Sequence, residues 1–258
     1  MAVSPARILI SNDDGIHADG LKVLEAIARE ISDDVWVVAP ESEQSGAGHS
    51  LTLSLPLRIR RVANKRYAIN GTPTDCVMMA INKIMPEKPT LMLSGVNRGG
   101  NLAEHITYSG TVSVAMEGTL AGVPSIALSQ CLLHGETINW SVAEKYGRQV
   151  IENLLDTDWD KDVLINVNFP PVIAEDVKGV HVSVQGRRKI DGVDIISNTD
   201  PRGFEYHWFG LGNEVGVPGV ETDLESARNG YISVTPLHLD LTHHKMREHL
   251  SDTIVKEF

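Results

Sequence analysis

Two adjacent carboxylates, Asp13 and Asp14, follow the apolar run at residues 8–10 after two intervening residues. Such a run is typical of a strand buried on both faces of a parallel sheet, and the turn residues 12–15 end it. Because two neighbouring like charges repel each other unless a cation lies beside them, we interpret the pair as ligands of a hard metal ion. The alternative is an ordinary turn with local side-chain hydrogen bonds, which Asn and Asp favour.

Composition and charge narrow the classes of function. The 258 residues are 42% hydrophobic and 22% charged, which is enough for one large α/β domain with a full core. The formal net charge of −11 argues against a nucleic-acid backbone or an anionic membrane as partner, and an anionic substrate would need a local neutralising charge such as a metal ion. The chain shows no apolar leader and no run of about 18 apolar residues, which predicts a cytoplasmic protein.

Strand and helix patterns alternate along the chain, as in βαβ units. Apolar residues at helical spacing over 21–31 are followed by a second buried run at 35–40. Further strands are expected at 51–63 and 66–70 as a hairpin, and at 89–94, 125–129 and 163–167. A helix should begin at Thr72 with a cap, a proline and an early acid, and end near residue 85. The pattern predicts an α/β fold with a largely parallel sheet.

Polar, glycine-rich loops follow the second and third predicted strands, at what should be one edge of the sheet. The first of these loops carries Ser45, and the second carries Asn97 and Asn101. The segment 109–111, Ser-Gly-Thr, then begins a helix whose unpaired N–H groups and hydroxyls would cradle an anion, with ordinary helix capping as the alternative. Oxygen donors suit Mg²⁺, Mn²⁺ or Ca²⁺ better than zinc. Together these features predict metal-assisted hydrolysis of a phosphomonoester.

Several signatures of other enzyme classes are absent from the sequence. It contains no G-x-x-x-x-G-K-[ST], no G-x-G-x-x-G after the first strand, no H-E-x-x-H and no G-x-S-x-G. Two alternatives stay open. One is a phosphatase of the haloacid-dehalogenase type, although that class has Asp-x-Asp where this chain has adjacent acids. The other is a nucleotide-binding protein without catalysis on the same fold.

Six motifs, in order along nearly the whole chain, resemble those of the SurE (survival protein E) family of nucleotidases. They lie at residues 12–20, 39–51, 70–75, 94–101, 108–118 and 230–237. The resemblance implies a Rossmann-like three-layer αβα domain with a mostly parallel sheet over residues 1–185. It also implies a C-terminal extension over 186–258, whose β-hairpin arm takes part in oligomerisation.

The resemblance further implies roles for individual residues. One divalent metal ion, Mg²⁺ or Mn²⁺ with Ca²⁺ as a third option, is expected. The implied metal ligands are Asp13, Asp14, Ser45 and Asn97. The implied phosphate-binding residues are Ser109, Gly110 and Thr111. The implied catalytic residues are Asp13, Asp14 and Asn101.

The implied activity is hydrolysis of nucleoside 5′- and 3′-monophosphates to nucleoside and phosphate, with short-chain polyphosphate as a further substrate. We favour attack by water, although an aspartyl-phosphate at Asp13 stays open from the residues alone. The implied assembly is a homodimer or homotetramer. The long polar stretch between 186 and 229 should pack its aromatic residues Tyr206, Trp208 and Phe209 against a second subunit.

Overall fold

A nine-stranded sheet with helices on both faces forms the body of the protein. The computed structural model describes residues 7–133, 137–158, 160–189, 193–211, 215–216 and 221–254. The strands are β1 (Ile8–Ser11), β2 (Val35–Pro40), β3 (Ile59–Ala63), β4 (Arg66–Ile69), β5 (Leu91–Arg98), β6 (Ser125–Gln130), β7 (Val163–Phe169), β8 (Val180–Val182), β9 (Arg188–Lys189), β10 (Val193–Thr199), β11 (Glu205–Leu211), β12 (Val215–Gly216) and β13 (Ile232–His238). The α-helices are α1 (Asp19–Ile31), α2 (Pro73–Met79), α3 (Gly110–Leu120), α4 (Ser141–Leu155), α5 (Asp223–Arg228) and α6 (His244–Thr253).

The order of strands in the sheet is β3-β4-β2-β1-β5-β6-β7-β13-β8. The neighbouring strands β4, β2, β1, β5, β6 and β7 run parallel to one another. Strand β3 is antiparallel to β4, and β13 is antiparallel to β7. The predicted α/β class with a mostly parallel sheet is therefore confirmed. Strands β10 and β11 form a separate antiparallel hairpin, which we call the arm. Its presence agrees with the expected C-terminal hairpin, while its role in assembly stays a prediction.

The order in which strands are added to the sheet changes sides at β1, between β1 and β5. From β1 it first adds β2 on one side, and it later returns to place β5 on the other side, with Ser11 opposite Ser94. In parallel sheets a crevice opens at such a point, beyond the carboxyl ends of the two strands. Asp13 follows β1 at this crevice, and Asn97 lies near the end of β5.

Alternate residues of β1 pack into hydrophobic cores on opposite faces of the sheet. Ile8 and Ile10 join the core beneath α1 and α4, and Leu9 joins the core beneath α2. All three side chains are 0% exposed, and burying each stabilises the fold by about 1.5–3 kcal/mol. This packing fixes where β1 ends and therefore where Asp13 stands.

The predicted start of α2 is confirmed. The Thr72 hydroxyl accepts a hydrogen bond from the Asp75 N–H at 3.1 Å, and the Asp75 carboxylate accepts one from the Thr72 N–H at 2.8 Å. Pro73 occupies the first turn, where its missing N–H costs nothing. The other carboxylate oxygen of Asp75 accepts from the Thr52 N–H at 3.0 Å, which ties the loop after β2 to this helix.

Two predicted strand boundaries differ from the structure by four residues or more. The strand expected over 51–63 begins only at Ile59, because the backbone near residue 51 bonds to the start of α2 instead: Ser50 O accepts from the Thr72 hydroxyl at 2.7 Å. The strand expected to end at Ser94 continues to Arg98, so Asn97 lies in β5 and not in a loop. Gly95, with φ of +122°, permits this continuation, because a Cβ there would come within 2.1 Å of Leu128 O on β6.

Candidate active site

Asp13 is buried against the first turn of α3. Its side chain is 4% exposed, and its carboxylate accepts a hydrogen bond from the Thr111 hydroxyl. The N–H groups of Gly110 and Thr111 face the same carboxylate and favour its charged form. Positive helix ends stabilise negative groups in this way. The structure thus brings together two of the predicted groups, the first acid and the helix start.

Gly110 allows this close approach. A Cβ at this position would lie 2.6 Å from the Cβ of Asp13 and 2.9 Å from the Cγ of Pro73. Either distance is shorter than two carbon atoms tolerate, so any side chain would push α3 away from Asp13. Glycine is therefore required here for packing, and not for an unusual backbone angle.

Asp14 lies at the rim of the crevice, beside the end of β5. Its carboxylate is half-buried and accepts a hydrogen bond from the Arg98 N–H at 3.3 Å. The Asn97 amide nitrogen donates to Gly99 O at 2.8 Å, which leaves the amide oxygen for another partner. The positions of Asp14 and Asn97 on adjacent strand ends agree with the expectation that they share one site.

The loop after β2 brings Ser45 to the same rim. The Gln44 N–H donates to Asp13 O at 2.8 Å, which fixes this loop against the end of β1. Ser45 is exposed, and its hydroxyl donates to the Glu43 carboxylate at 2.8 Å. Glu43 also raises the pKa of Asp14 by its negative charge. Glu43 was missed in the sequence, where only its place in the loop carrying Ser45 could have indicated it.

Both acids hold their protons more strongly than free aspartate. Burial raises the pKa of Asp13, although the hydrogen bonds from Thr111 and from the start of α3 oppose the shift. Burial, followed by the negative charge of Asp13, raises the pKa of Asp14 from 3.8 to about 6. Two carboxylates that resist ionisation together are the electrostatic situation that a bound cation relieves.

Asn101 lies deeper, in a network of buried amides and hydroxyls. Its side-chain nitrogen donates to the Ser129 hydroxyl at 2.8 Å, and its N–H donates to the Asn168 side chain at 2.8 Å. Its carbonyl accepts from the side chains of Asn166 at 2.8 Å and Asn168 at 3.2 Å. These contacts hold the backbone of the loop that leads from β5 to α3. The catalytic role of Asn101 stays a prediction.

Ser109 caps α3, and its hydroxyl accepts the Val112 N–H at 3.0 Å. The helix-capping alternative is therefore correct as far as the Ser109 oxygen is concerned, because that oxygen accepts a bond from the helix. The proton of the same hydroxyl can still be donated to an anion. The alternative interpretation of residues 12–15, a turn with local side-chain hydrogen bonds, is also partly correct, because the Asn12 side-chain amide donates to Gly15 O at 3.1 Å. The buried oxygen of Asn12, however, finds no partner among the described residues.

Comparison with known proteins gives consistent matches. The model of the family "Survival protein SurE" matches residues 8–192. The chain is 56% identical over 241 residues to the "5'-nucleotidase SurE" of Paramagnetospirillum magneticum, covering 93% of this chain and 92% of that one. It is 53% identical over 242 residues to the protein of the same name from Rhizorhabdus wittichii, covering 92% and 95%. The crystal structure of the SurE protein from Aquifex aeolicus superposes with a TM-score of 0.82 at 38% identity, covering 96% of this chain and 99% of that one.

Proposed function

Because the chain belongs to the SurE family, we propose that it is a 5′-nucleotidase, a phosphomonoesterase that releases phosphate from nucleoside 5′-monophosphates. The resemblance inferred from the six motifs is confirmed by these matches. The observation that carries the proposal is the Asp13 carboxylate, buried against the start of α3 at the crevice between β1 and β5. At this crevice a helix start and carboxylates lie side by side, and both the positive end of a helix and the switch point of an α/β sheet are places where phosphate groups bind.

We infer that Asp13, Asp14, Ser45 and Asn97 would hold one divalent cation, Mg²⁺ or Mn²⁺. The donor set fits such an ion, because it consists of oxygens: two carboxylates, a hydroxyl and an amide. The raised pKa values of Asp13 and Asp14 support the fit, since burial and, for Asp14, the negative charge of Asp13 oppose ionisation, and a cation would offset both. When bound, the cation supplies charge against the phosphate oxygens and makes water more acidic.

The chain's own residues would bind and orient the phosphate. The Ser109 hydroxyl would donate to an equatorial oxygen as negative charge builds up, while the Thr111 hydroxyl and the N–H groups of Gly110 and Thr111 hold the Asp13 carboxylate beside the phosphate. Asn101 would hold the connecting loop in place. Because the Thr111 hydroxyl already donates to the Asp13 carboxylate, the geometry favours water as the nucleophile over Asp13 itself.

Phosphate release from a panel of nucleoside 5′- and 3′-monophosphates tests this proposal. We expect hydrolysis in the presence of Mg²⁺ or Mn²⁺, its loss in EDTA, and its recovery when either ion is added back. Tight nucleotide binding without phosphate release would indicate a binding protein instead. An aspartyl-phosphate trapped at Asp13 would favour a mechanism like that of haloacid-dehalogenase phosphatases.

Several finer expectations form part of the proposal. They are hydrolysis of 3′-monophosphates and short-chain polyphosphate, assembly into dimers or tetramers, a cytoplasmic location, and division into a catalytic part at 1–185 and an extension at 186–258. No helix in the described ranges is long and apolar enough to span a membrane.

Removal of single hydroxyls should separate phosphate binding from metal binding. Ser109→Ala should weaken phosphate binding by about 1–3 kcal/mol, because a charge-assisted bond is lost, and leave metal affinity unchanged. Thr111→Val should weaken both, because its hydroxyl supports Asp13. Calorimetric titration of each variant with Mn²⁺ and with inorganic phosphate measures the two affinities. Equal losses of both affinities in Ser109→Ala would show that its hydroxyl serves only the helix.

A further inference from the structure

A buried carboxylate outside the proposed site, that of Asp223, holds three backbone segments together. Asp223 is 0% exposed and begins α5. One of its oxygens accepts the N–H groups of Gly186 and Leu224, each at 2.8 Å, and the other accepts the Ala103 N–H at 2.8 Å. Ala103 is distant in sequence, on the loop between β5 and α3. Asp223 thus joins the C-terminal part of the chain to a loop of the proposed site.

Ala103 has a backbone conformation that needs support. Its φ is +52°, in the left-handed region that residues with a Cβ rarely adopt. It begins a 3₁₀ turn, Ala103–Thr107, that spans the distance from Asn101 to Ser109. Such a conformation persists when its surroundings determine it. The bond from Asp223 is one of these determinants.

The neighbours of Asp223 bind the same loop. The Gln185 side chain donates to Ala103 O at 3.0 Å, and the Arg188 guanidinium donates to Leu102 O at 2.9 Å. The Arg188 N–H donates to both carboxylate oxygens of Glu104, each at 3.0 Å. The loop between β5 and α3 is therefore clamped along residues 102–104 by the segment 185–188 and by α5.

We propose that Asp223 is a positioning residue for phosphomonoester hydrolysis. By holding Ala103, it sets the position of Asn101 relative to Ser109 at the start of α3. The inference rests on the proposed site, since it assumes that these two residues face the substrate. Asp223 lies beyond the range 8–192 that the family model matches, so its contribution comes from the extension and not from the matched part.

The variant Asp223→Asn tests this role, with Asp34→Asn as a matched control. Asp34 also accepts three hydrogen bonds, from Arg7, Trp36 and Lys65, but it precedes β2 at the opposite edge of the sheet. At a temperature where both variants are folded, we expect kcat/KM to fall about tenfold in Asp223→Asn, since small misplacements cost this much or more, and to stay near the wild-type value in Asp34→Asn.

Amide hydrogen exchange provides a second readout that a general loss of stability would not reproduce. In Asp223→Asn we expect faster exchange at residues 102–107, with β1 and β5 unchanged. An unaltered exchange rate in this loop, a kcat/KM within about twofold of the wild-type value, or an equal loss in Asp34→Asn would each overturn the proposal.

A milder variant covers the case in which Asp223→Asn does not fold. Gln185 is exposed, so Gln185→Ala should fold and lower kcat/KM by about threefold, the scale of one hydrogen bond. An unchanged kcat/KM in Gln185→Ala would then overturn the proposal. The variant Asp13→Asn distinguishes an error in the role of Asp223 from an error in the proposed site. If Asp13→Asn keeps its activity, the proposed site itself is wrong.

Discussion

Asp13→Asn and Asp14→Asn should each lower kcat by on the order of 10² or more, the loss seen when a main electrostatic element of an active site is removed. Each change removes one negative charge from the proposed metal site while keeping the size of the side chain. We therefore expect weaker Mn²⁺ binding by calorimetry and slower phosphate release from nucleoside 5′-monophosphates in both variants.

Neither variant should unfold the protein. Burial raises the pKa values of both acids, which means that their charged forms oppose folding at neutral pH. A neutral amide at either position should leave the thermal midpoint of the metal-free protein unchanged or raise it. Asp19→Asn, at an exposed position at the start of α1, is the control and should keep full activity. Activity that survives both changes, or that is indifferent to EDTA, would refute the metal site.

Deletion of residues 191–220, replaced by a short Gly-Ser bridge, should convert an oligomer into monomers. The arm exposes large apolar side chains on both faces of its ribbon: Trp208 lies opposite Ile196, and Phe209 lies opposite Ile195. Trp208 is 64% exposed and Phe209 is 81% exposed. A lone hairpin is marginally stable in water, and exposed rings gain most when a second subunit covers them. Static light scattering at micromolar protein concentration measures the mass before and after the deletion.

The double variant Trp208→Ser with Phe209→Ser should produce the same change without shortening the chain. Leu120→Ser is its control, because Leu120 is 62% exposed and belongs to α3 and not to the arm. Wild-type protein that is already monomeric would contradict the proposed assembly. A deletion variant of unchanged multiplicity would show that other surfaces hold the subunits together.

Features that depend on neighbouring residues could be predicted from the sequence. The end of β1 follows from a buried apolar run and the turn after it, so Asp13 and Asp14 were assigned to the correct edge of the sheet. The start of α2 follows from its capping box, which lies within residues 72–75. In both cases the determining contacts lie within a few residues.

Features that depend on distant residues could not be predicted. The partners of Asn101 on β7 are more than 60 residues away, and Asp223 binds Ala103 across 120 residues. No local pattern encodes such contacts. The only signal was the presence of Asn166 and Asn168 in an otherwise apolar strand, where a buried amide needs a partner. The end of β5 was predicted too early because a glycine at residue 95 usually indicates a turn. Here Gly95 instead lets the backbone of β5 pass close to β6.

The position of β13 has a consequence for synthesis of the chain. Strand β13 lies between β7 and β8 and is the last of the nine strands in sequence, so its residues 232–238 complete the sheet only after the other eight strands have been synthesised. Until then, the backbone groups of β7 on that side form an open edge that other chains could pair with. Premature termination before residue 232 should therefore yield aggregates, because the truncated chain keeps most of its core but cannot close its edge.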